Sequence, residues 1–113
     1  MPEKDKNLKL KIRKILSKLF KQRGLSIYKI VVFGSVAKGK SGKDSDIDLI
    51  IVSKDFRGKD IFKKVELTTG IGRELVKKTN KPFDIMYYSD IEWDNGHSLI
   101  INAAKREGEV IYG

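Results

Sequence analysis

The chain has 113 residues, of which 40% are hydrophobic, with no cysteine and a formal charge of +9. This length suits one compact domain over residues 1–113, and the hydrophobic content is sufficient for a core, which excludes wholesale disorder. The lack of cysteine excludes disulfides and thiolate metal sites and is typical of proteins in a reducing compartment.

Apolar runs in the sequence are short. Stretches such as 30–33 and 49–52 contain four apolar residues each, whereas a membrane-spanning helix needs about 20. The N-terminus is charged and lacks the apolar segment of a signal peptide. We therefore expect a cytoplasmic protein that does not enter a membrane.

The N-terminal segment carries most of the positive charge. Residues 1–25 contain nine basic and two acidic residues, and the other 88 residues have a net charge of +2. Apolar residues recur at helical spacing from about Lys4 to Arg23, which predicts an amphipathic helix that ends before Gly24. Its basic face could attract a phosphate-rich or acidic partner, or it could be a solvated helix surface. Both interpretations stay open.

Two strands and a loop are predicted next. Residues 27–33 and 47–52 are rich in β-branched and aromatic side chains, as strands are. The second of them is apolar at nearly every position after Asp48, which predicts burial on both faces. Residues 35–45 contain mainly Gly, Ser and Lys and predict a loop.

The second half of the chain completes the predicted fold. Residues 59–79 predict a helix, with a break near Gly70 and Gly72. The remaining segments predict a strand over 83–88, a loop over 89–97, a helix over 98–105 and a short strand over 109–112. This order predicts an α/β (α+β) fold with a small mixed sheet and helices packed on it.

Asp46 and Asp48 lie at the start of the buried strand. Because side chains alternate along a strand, both point to the same side, about 6–7 Å apart. Two such carboxylates repel each other unless a cation lies between them. Mg²⁺ prefers carboxylate and phosphate oxygens, so the pair predicts a Mg²⁺–nucleotide site rather than a zinc site.

A third carboxylate, Asp84, is the only acidic residue within the third predicted strand. If that strand lies beside the second one, the three carboxylates converge. Such a set can hold two metal ions, which stabilise the attacking and leaving oxygens in phosphoryl transfer.

Gly34 and Ser35 follow the first predicted strand. Glycine lets the backbone approach a ligand closely, and turn amides with a serine hydroxyl form an anion-binding concavity. Lysines in the following loop, Lys38 among them, could offset the charge of a triphosphate. A Gly-Ser turn or a D-x-D pair is common by itself, so the prediction depends on the combination.

The combined pattern resembles the signature of the nucleotidyltransferase superfamily, which has the DNA polymerase β-like fold. The residues that carry the resemblance are Gly34, Ser35, Ala37, Gly39, Ser45, Asp46, Ile47, Asp48 and Leu49, with Asp84 and the tail 106–113 in support. The short length resembles the minimal nucleotidyltransferases (MNT), among them the MntA-type antitoxins. Lys38 stands where many members have arginine, which keeps the charge without the planar fork.

The resemblance implies a role for each matching residue. Asp46, Asp48 and Asp84 would be catalytic residues and ligands of two Mg²⁺ ions. Gly34 and Ser35 would contact the phosphates of ATP or another nucleoside triphosphate, supported by Ser45 and Lys38. The reaction would transfer a nucleoside monophosphate, AMP in the case of ATP, to a hydroxyl group and release pyrophosphate.

The resemblance also implies a partner, a helical HEPN toxin that the MNT antitoxin modifies. Two other functions stay open. One is a catalytically silent subunit that senses nucleotide within a two-protein complex. The other, less favoured, is a nucleic-acid-binding or RNA nucleotidyltransferase module that uses the basic N-terminal helix. Homo-oligomers are a further possibility. His97 is interpreted as a surface or capping residue, and Trp93, Tyr87 and Tyr88 as packing residues in preference to base-stacking ones.

Overall fold

The computed structural model describes residues 3–34 and 46–113, with side chains from residue 6 onward. The helices and strands are, in chain order, α1 (Glu3–Gln22), β1 (Lys29–Phe33), β2 (Ile47–Val52), a 3-10 turn (Lys54–Phe56), α2 (Ile61–Thr68), α3 (Ile71–Thr79), β3 (Phe83–Tyr88), α4 (Asp90–Asn95), α5 (Leu99–Glu107) and β4 (Glu109–Tyr112). The predicted mixture of helices and strands is confirmed.

The four strands form one mixed sheet in the order β3-β2-β1-β4. Strand β1 is antiparallel to both β2 and β4, whereas β2 and β3 are parallel. Central strand β2 is buried on both faces, as predicted, since each of its five apolar residues is at most 1% exposed. The fold class expected from the sequence is therefore correct.

The two faces of the sheet pack against different helices. Alternate strand residues such as Ile30, Leu49 and Ile51 share one core with the apolar stripe of α1 and with α3. The intervening residues, such as Val31, Ile50 and Val52, share a second, smaller core with residues of α4 and α5. We call the first face the α1 face and the second the α5 face.

Three element predictions need correction or refinement. Strand β1 begins at Lys29 rather than at residue 27. The predicted helix over 59–79 is divided at Gly70, which has φ +87°, so the expected break lies there. The predicted loop over 89–97 is wrong, because it contains α4.

Helix α4 begins with a capping box that the sequence displays. The Ser89 hydroxyl accepts a hydrogen bond from the Glu92 backbone N–H, and the Glu92 carboxylate accepts one from the Ser89 N–H, both at 3.0 Å. Each bond satisfies an amide that the first helical turn leaves unpaired. The helix buries Trp93, which is 4% exposed, in the core of the α5 face.

Helices α2 and α3 differ in how they pack. Helix α3 buries Ile71 and Leu75 completely. Helix α2 instead leaves Ile61, Phe62 and Val65 exposed, at 70%, 80% and 60%. Helical periodicity is thus confirmed in both segments, but it does not place both apolar stripes against the core.

No helix among the described residues is both long enough and apolar enough to cross a membrane. Helix α1, at 20 residues, is long enough to cross a membrane, but it contains many basic residues and is not apolar enough.

Candidate active site

The candidate site lies on the α5 face of the sheet, where β2 and β3 begin. Their parallel register places Asp48 directly opposite Asp84. Adjacent strands are about 4.8 Å apart, and register partners point to the same face. The strand adjacency on which the convergence of these carboxylates depends is therefore present.

Electrostatics show how close the acidic residues are. Burial raises the pKa of the half-buried Asp48 above its ordinary value, and the negative charges of Asp84 and Asp46 raise it further. Asp46 is exposed and precedes β2 by one residue. Asp48 is thus the centre of the acidic group, with both other carboxylates within electrostatic range.

The carboxylates are close without forming a closed cage. Within 3–34 and 46–113, no group of three or more His, Cys, Asp or Glu side chains is positioned to hold a metal ion. Asp48 and Asp84 face each other across two strands, and Asp46 lies at the open margin of the site. Part of the predicted site, residues 35–45, lies outside the described residues.

Gly34 brings the backbone of the β1 end against Asp48. The antiparallel register pairs Phe33 with Asp48, so the next residue, Gly34, turns away beside that carboxylate. Gly34 has φ +80°, and a Cβ atom added to it would collide with Asp48 Oδ2. A side chain would be strained and obstructed at this position, and glycine is required for both reasons.

Three of the predicted nucleotide-binding residues cannot be placed. Ser35, Lys38 and Ser45 lie outside the described residues, so their roles stay predictions. Gly34 is the one predicted nucleotide-binding residue within the described part of the chain, and it lies against Asp48.

The donor set fits a hard divalent cation. The acidic group offers carboxylate oxygens, and the chain contains no cysteine and a single histidine. Oxygen donors suit Mg²⁺, whereas Zn²⁺ sites use mainly nitrogen and sulfur. A cation beside Asp48 would also offset the like charges that raise its pKa.

A cleft of about 250 Å³, which the sequence did not predict, lies near the C-terminal end of β3. Its lining residues are Tyr88, Glu92, Asn95, His97, Ser98 and Ile101. Tyr88 and Asp84 occupy alternate positions of β3 and therefore point to the same face. The capping signal at Ser89 and Glu92 is the feature from which α4, and with it this cleft, could have been found.

The single residues considered earlier are also located. The His97 side chain is exposed, and its backbone N–H donates to Asn95 Oδ1 at 3.0 Å. Tyr87 packs on the α1 face, where its ring contacts Phe56 edge-on, and burial raises its pKa to about 12. Trp93 and Tyr87 thus pack in the two cores, as the favoured interpretation predicted.

Comparisons with known proteins agree with the fold. The family model for the nucleotidyltransferase domain matches residues 10–110. The chain is also similar to a solved toxin–antitoxin complex with AMP-PNP, at 20% identity and a TM-score of 0.60 over 88% of this chain and 72% of that one. The comparison with curated proteins gave no match.

Two further structures have the same fold. One contains a tri-AMPylated HEPN toxin of Shewanella oneidensis with its MNT antitoxin, matched at 18% identity and a TM-score of 0.58 over 96% of this chain and 72% of that one. The other is a candidate nucleotidyltransferase from Sulfolobus solfataricus, at 16% identity and a TM-score of 0.53, with 97% and 87% covered. At these identities the likeness shows the fold alone.

The structure combines a mixed sheet, facing carboxylates on β2 and β3, and a glycine turn beside them. The chain belongs to the nucleotidyltransferase domain family. The superfamily resemblance and the enzyme class predicted from the sequence are confirmed.

Proposed function

We propose that the chain transfers a nucleoside monophosphate to a hydroxyl group of a partner protein, with ATP as the preferred donor of AMP. The single observation that carries this proposal is the register of β2 and β3, which sets Asp48 opposite Asp84 and beside the Gly34 turn. Three features of the family signature, distant in sequence, meet at this point.

Asp46, Asp48 and Asp84 would hold Mg²⁺, as two ions in the full site. When bound, Mg²⁺ neutralises charge on the phosphate oxygens and on the leaving pyrophosphate. The protein contributes carboxylates whose strands are fixed by the central sheet. Their positions are therefore set before substrate binds, which lowers the cost of orienting the triphosphate.

The reaction forms one bond and breaks one. The oxygen of the acceptor hydroxyl attacks the α-phosphorus, a new P–O bond forms, and the bond to the bridging oxygen breaks as pyrophosphate leaves. The hydroxyl proton passes to a base, for which Asp84 is the candidate because its exposed carboxylate lies at the edge of the sheet. Asp48, more buried, is the anchoring carboxylate.

The Gly34 turn would bind the phosphates. A glycine at positive φ opens the backbone at the end of β1, and a phosphate can approach the amides there with no side chain of residue 34 in its way. Ser35, Ser45 and Lys38 would contribute a hydroxyl, a second hydroxyl and a positive charge. The chain's overall charge of +9 favours the approach of an anionic nucleotide.

The partner is proposed from the structures that share the fold. Two of them are complexes of a toxin with an antitoxin, one with AMP-PNP and one with an AMPylated HEPN toxin. By analogy, this chain would act as an MNT antitoxin that modifies a HEPN-type partner. Location in the cytoplasm, where such a partner and ATP are present, is part of the proposal.

The test uses labelled ATP, Mg²⁺ and the product of the neighbouring gene as the acceptor. We expect transfer of label to that protein by the wild-type chain. The double variant Asp46→Ala, Asp48→Ala should transfer none, because the ligands of the metal are removed. The matched control is Asp94→Ala, which removes an exposed carboxylate of α4 and should leave transfer intact.

Two outcomes would contradict the proposal. Label transfer that survives loss of Asp46 and Asp48 would exclude these residues from catalysis. Calorimetric binding of Mg²⁺-ATP by the wild-type chain without transfer to the acceptor would favour the silent, nucleotide-sensing subunit instead.

A further inference from the structure

Helix α1 carries a row of lysines on the side that faces away from the sheet. They lie within about 80° of one another around the helix and extend about 15 Å along it. The opposite side of the helix buries Ile12 and Leu16 completely in the core of the α1 face. We call this row the α1 stripe, and its members, all exposed, are Lys11, Lys14, Lys18 and Lys21.

The described side chains leave the charge of the α1 stripe in place. Within residues 6–34 and 46–113, no acidic side chain forms an ion pair with any of its four lysines. Residues 6–22 of the helix contain no acidic residue. The two at its beginning, Glu3 and Asp5, lie six or more positions before Lys11, beyond the i, i+4 spacing at which helical side chains meet.

The elements that pack beside α1 do not offset this charge. Strand β4 contributes Glu109, but Lys9 already forms an ion pair with it. Helix α3, which shares the core of the α1 face, has one acidic residue, the half-buried Glu74, and ends with the exposed Lys77 and Lys78. The two helices therefore present a positive surface.

Lysine suits phosphate better than it suits the centre of a protein interface. Each ammonium group is a strongly hydrated point charge that binds phosphate oxygens by charge rather than by a planar fit. Protein interfaces are depleted in lysine and have apolar or aromatic residues at their centre. Leu10, at 45% exposure, is the one large apolar side chain exposed among the described residues of α1. The α1 stripe therefore lacks the centre of a protein interface.

The buried apolar side of α1 argues against two further partners. Helices that bind a membrane surface insert their apolar side among the lipids, but that side of α1 is packed in the core. The one aromatic residue of the helix, Phe20, is 1% exposed, so it cannot stack on unpaired bases. The α1 stripe offers charge alone, which is what the phosphates of a duplex require.

From these observations we infer that the α1 stripe binds a nucleic-acid duplex through its phosphates. The bound duplex lies on the opposite side of the sheet from Asp48 and Asp84, whose negative charges would repel it. It therefore tethers the protein and is not the acceptor of a nucleotidyl group. This inference does not depend on the proposed transfer reaction.

The test measures binding of a labelled DNA duplex of about 20 base pairs, much longer than the α1 stripe, by fluorescence anisotropy. Four phosphate contacts predict that affinity falls about 10²-fold between about 50 and 200 mM salt, because each contributes about −0.9 to the slope of log K against log salt. The double variant Lys14→Gln, Lys18→Gln removes two of these contacts. We expect it to bind at least about tenfold more weakly at about 50 mM salt and to halve the slope.

The double variant Lys105→Gln, Arg106→Gln is the matched control. It removes the same charge from two exposed positions of α5, which packs on the opposite face of the sheet. It should retain most of the wild-type affinity, because the sheet separates these charges from the duplex and salt screens them. Glutamine has nearly the helix propensity of lysine and arginine, so both variants should fold, and circular dichroism would confirm it.

Polyglutamate and vesicles rich in phosphatidylserine are measured in parallel, as probes for an acidic protein and for a membrane. Three results would overturn the inference. They are equal weakening by the two double variants, which would indicate an effect of net charge alone, binding of polyglutamate or of the vesicles as tightly as the duplex, and no binding of the duplex at about 50 mM salt. Nucleotide is absent from every measurement, so failure here leaves the proposed transfer reaction intact.

Discussion

Strand β2 has an aspartate near each end, and the two differ in the direction of their pKa shifts and in the groups that surround them. Asp48, at its second position, faces two other carboxylates and has a pKa above the ordinary value because of burial and their charge. Asp55, three residues beyond the strand, has a lowered pKa, chiefly because it accepts a hydrogen bond from the Ser26 backbone N–H at 2.7 Å.

The partners of Asp55 explain its structural role. Its carboxylate also accepts from the hydroxyls of Ser26 and Ser53, at 3.0 and 3.2 Å. It therefore joins the segment before β1 to the turn after β2. Asp48 has carboxylates where Asp55 has donors. Within residues 3–34 and 46–113, the charged groups that act on Asp48 are carboxylates, whose repulsion a bound cation could offset, and this distinguishes the candidate site from the structural cluster.

The largest effect is expected from Asp48→Asn. Nucleotidyl transfer should fall about 10³-fold, since a metal ligand supplies several kcal/mol of charge stabilisation in the transition state. Stability should not decrease, because the neutral amide removes repulsion from Asp84 and Asp46. Transfer assays and urea unfolding would measure the two effects. Lower stability together with full activity would reverse the roles assigned to Asp48 and Asp55.

The next residue, Leu49, provides the sharpest contrast with Asp48. It points to the opposite face of the sheet and is 0% exposed in the core of the α1 face. Leu49→Ala should lower the free energy of unfolding by about 2–5 kcal/mol, the usual cost of such a cavity. The activity per folded molecule should change little. If Leu49→Ala is as inactive as Asp48→Asn while folded, the two faces are not independent.

A smaller effect is expected from Asp55→Asn. The amide still accepts from Ser26, but the bonds lose the negative charge that strengthens them. Because this carboxylate is partly exposed, we expect a loss of about 1 kcal/mol after allowance for solvent screening. Urea unfolding at neutral pH would measure it, and Asp94→Asn is the exposed control. Transfer activity should be unchanged.

The smallest effect is a difference in pH dependence. The pKa of Asp55 is lower in the folded protein than in the unfolded chain. Its contribution to stability is therefore present above about pH 4, the ordinary pKa of an aspartate, and is lost as the pH falls through the pKa of the folded state. The raised pKa of Asp48 has the opposite effect. The charged carboxylate lowers the free energy of unfolding near neutral pH, and this destabilisation disappears as acidification protonates the group. Unfolding of the wild type and both variants from pH 3 to 7 would test this. Curves that stay parallel would contradict both assignments.

Strands β2 and β3 show how much the sequence could predict. Both lie at the predicted bounds, because dense β-branched and aromatic residues between turn residues are a strong local signal. Helix α4 shows a local signal that was present but missed, the Ser89–Glu92 capping box. The family signature at Gly34, Asp46 and Asp48 was also local, and the family match agrees with it.

The exposure of α2 and the pairing of Asp48 with Asp84 could not be predicted from the sequence. Periodicity predicted that Ile61, Phe62 and Val65 belong to a helix, but not that this helix would present them to solvent. The parallel pairing of β2 with β3 joins residues 36 positions apart, and no local pattern specifies that register.

The sequence by itself determined the bounds of β2 and β3 and the alternation of side chains along them, because alternation is a property of the extended backbone. The tertiary structure decided that Asp84 lies opposite Asp48 and that the apolar stripe of α2 is left exposed. These depend on which elements pack together, and that choice is made by the whole core rather than by any one segment.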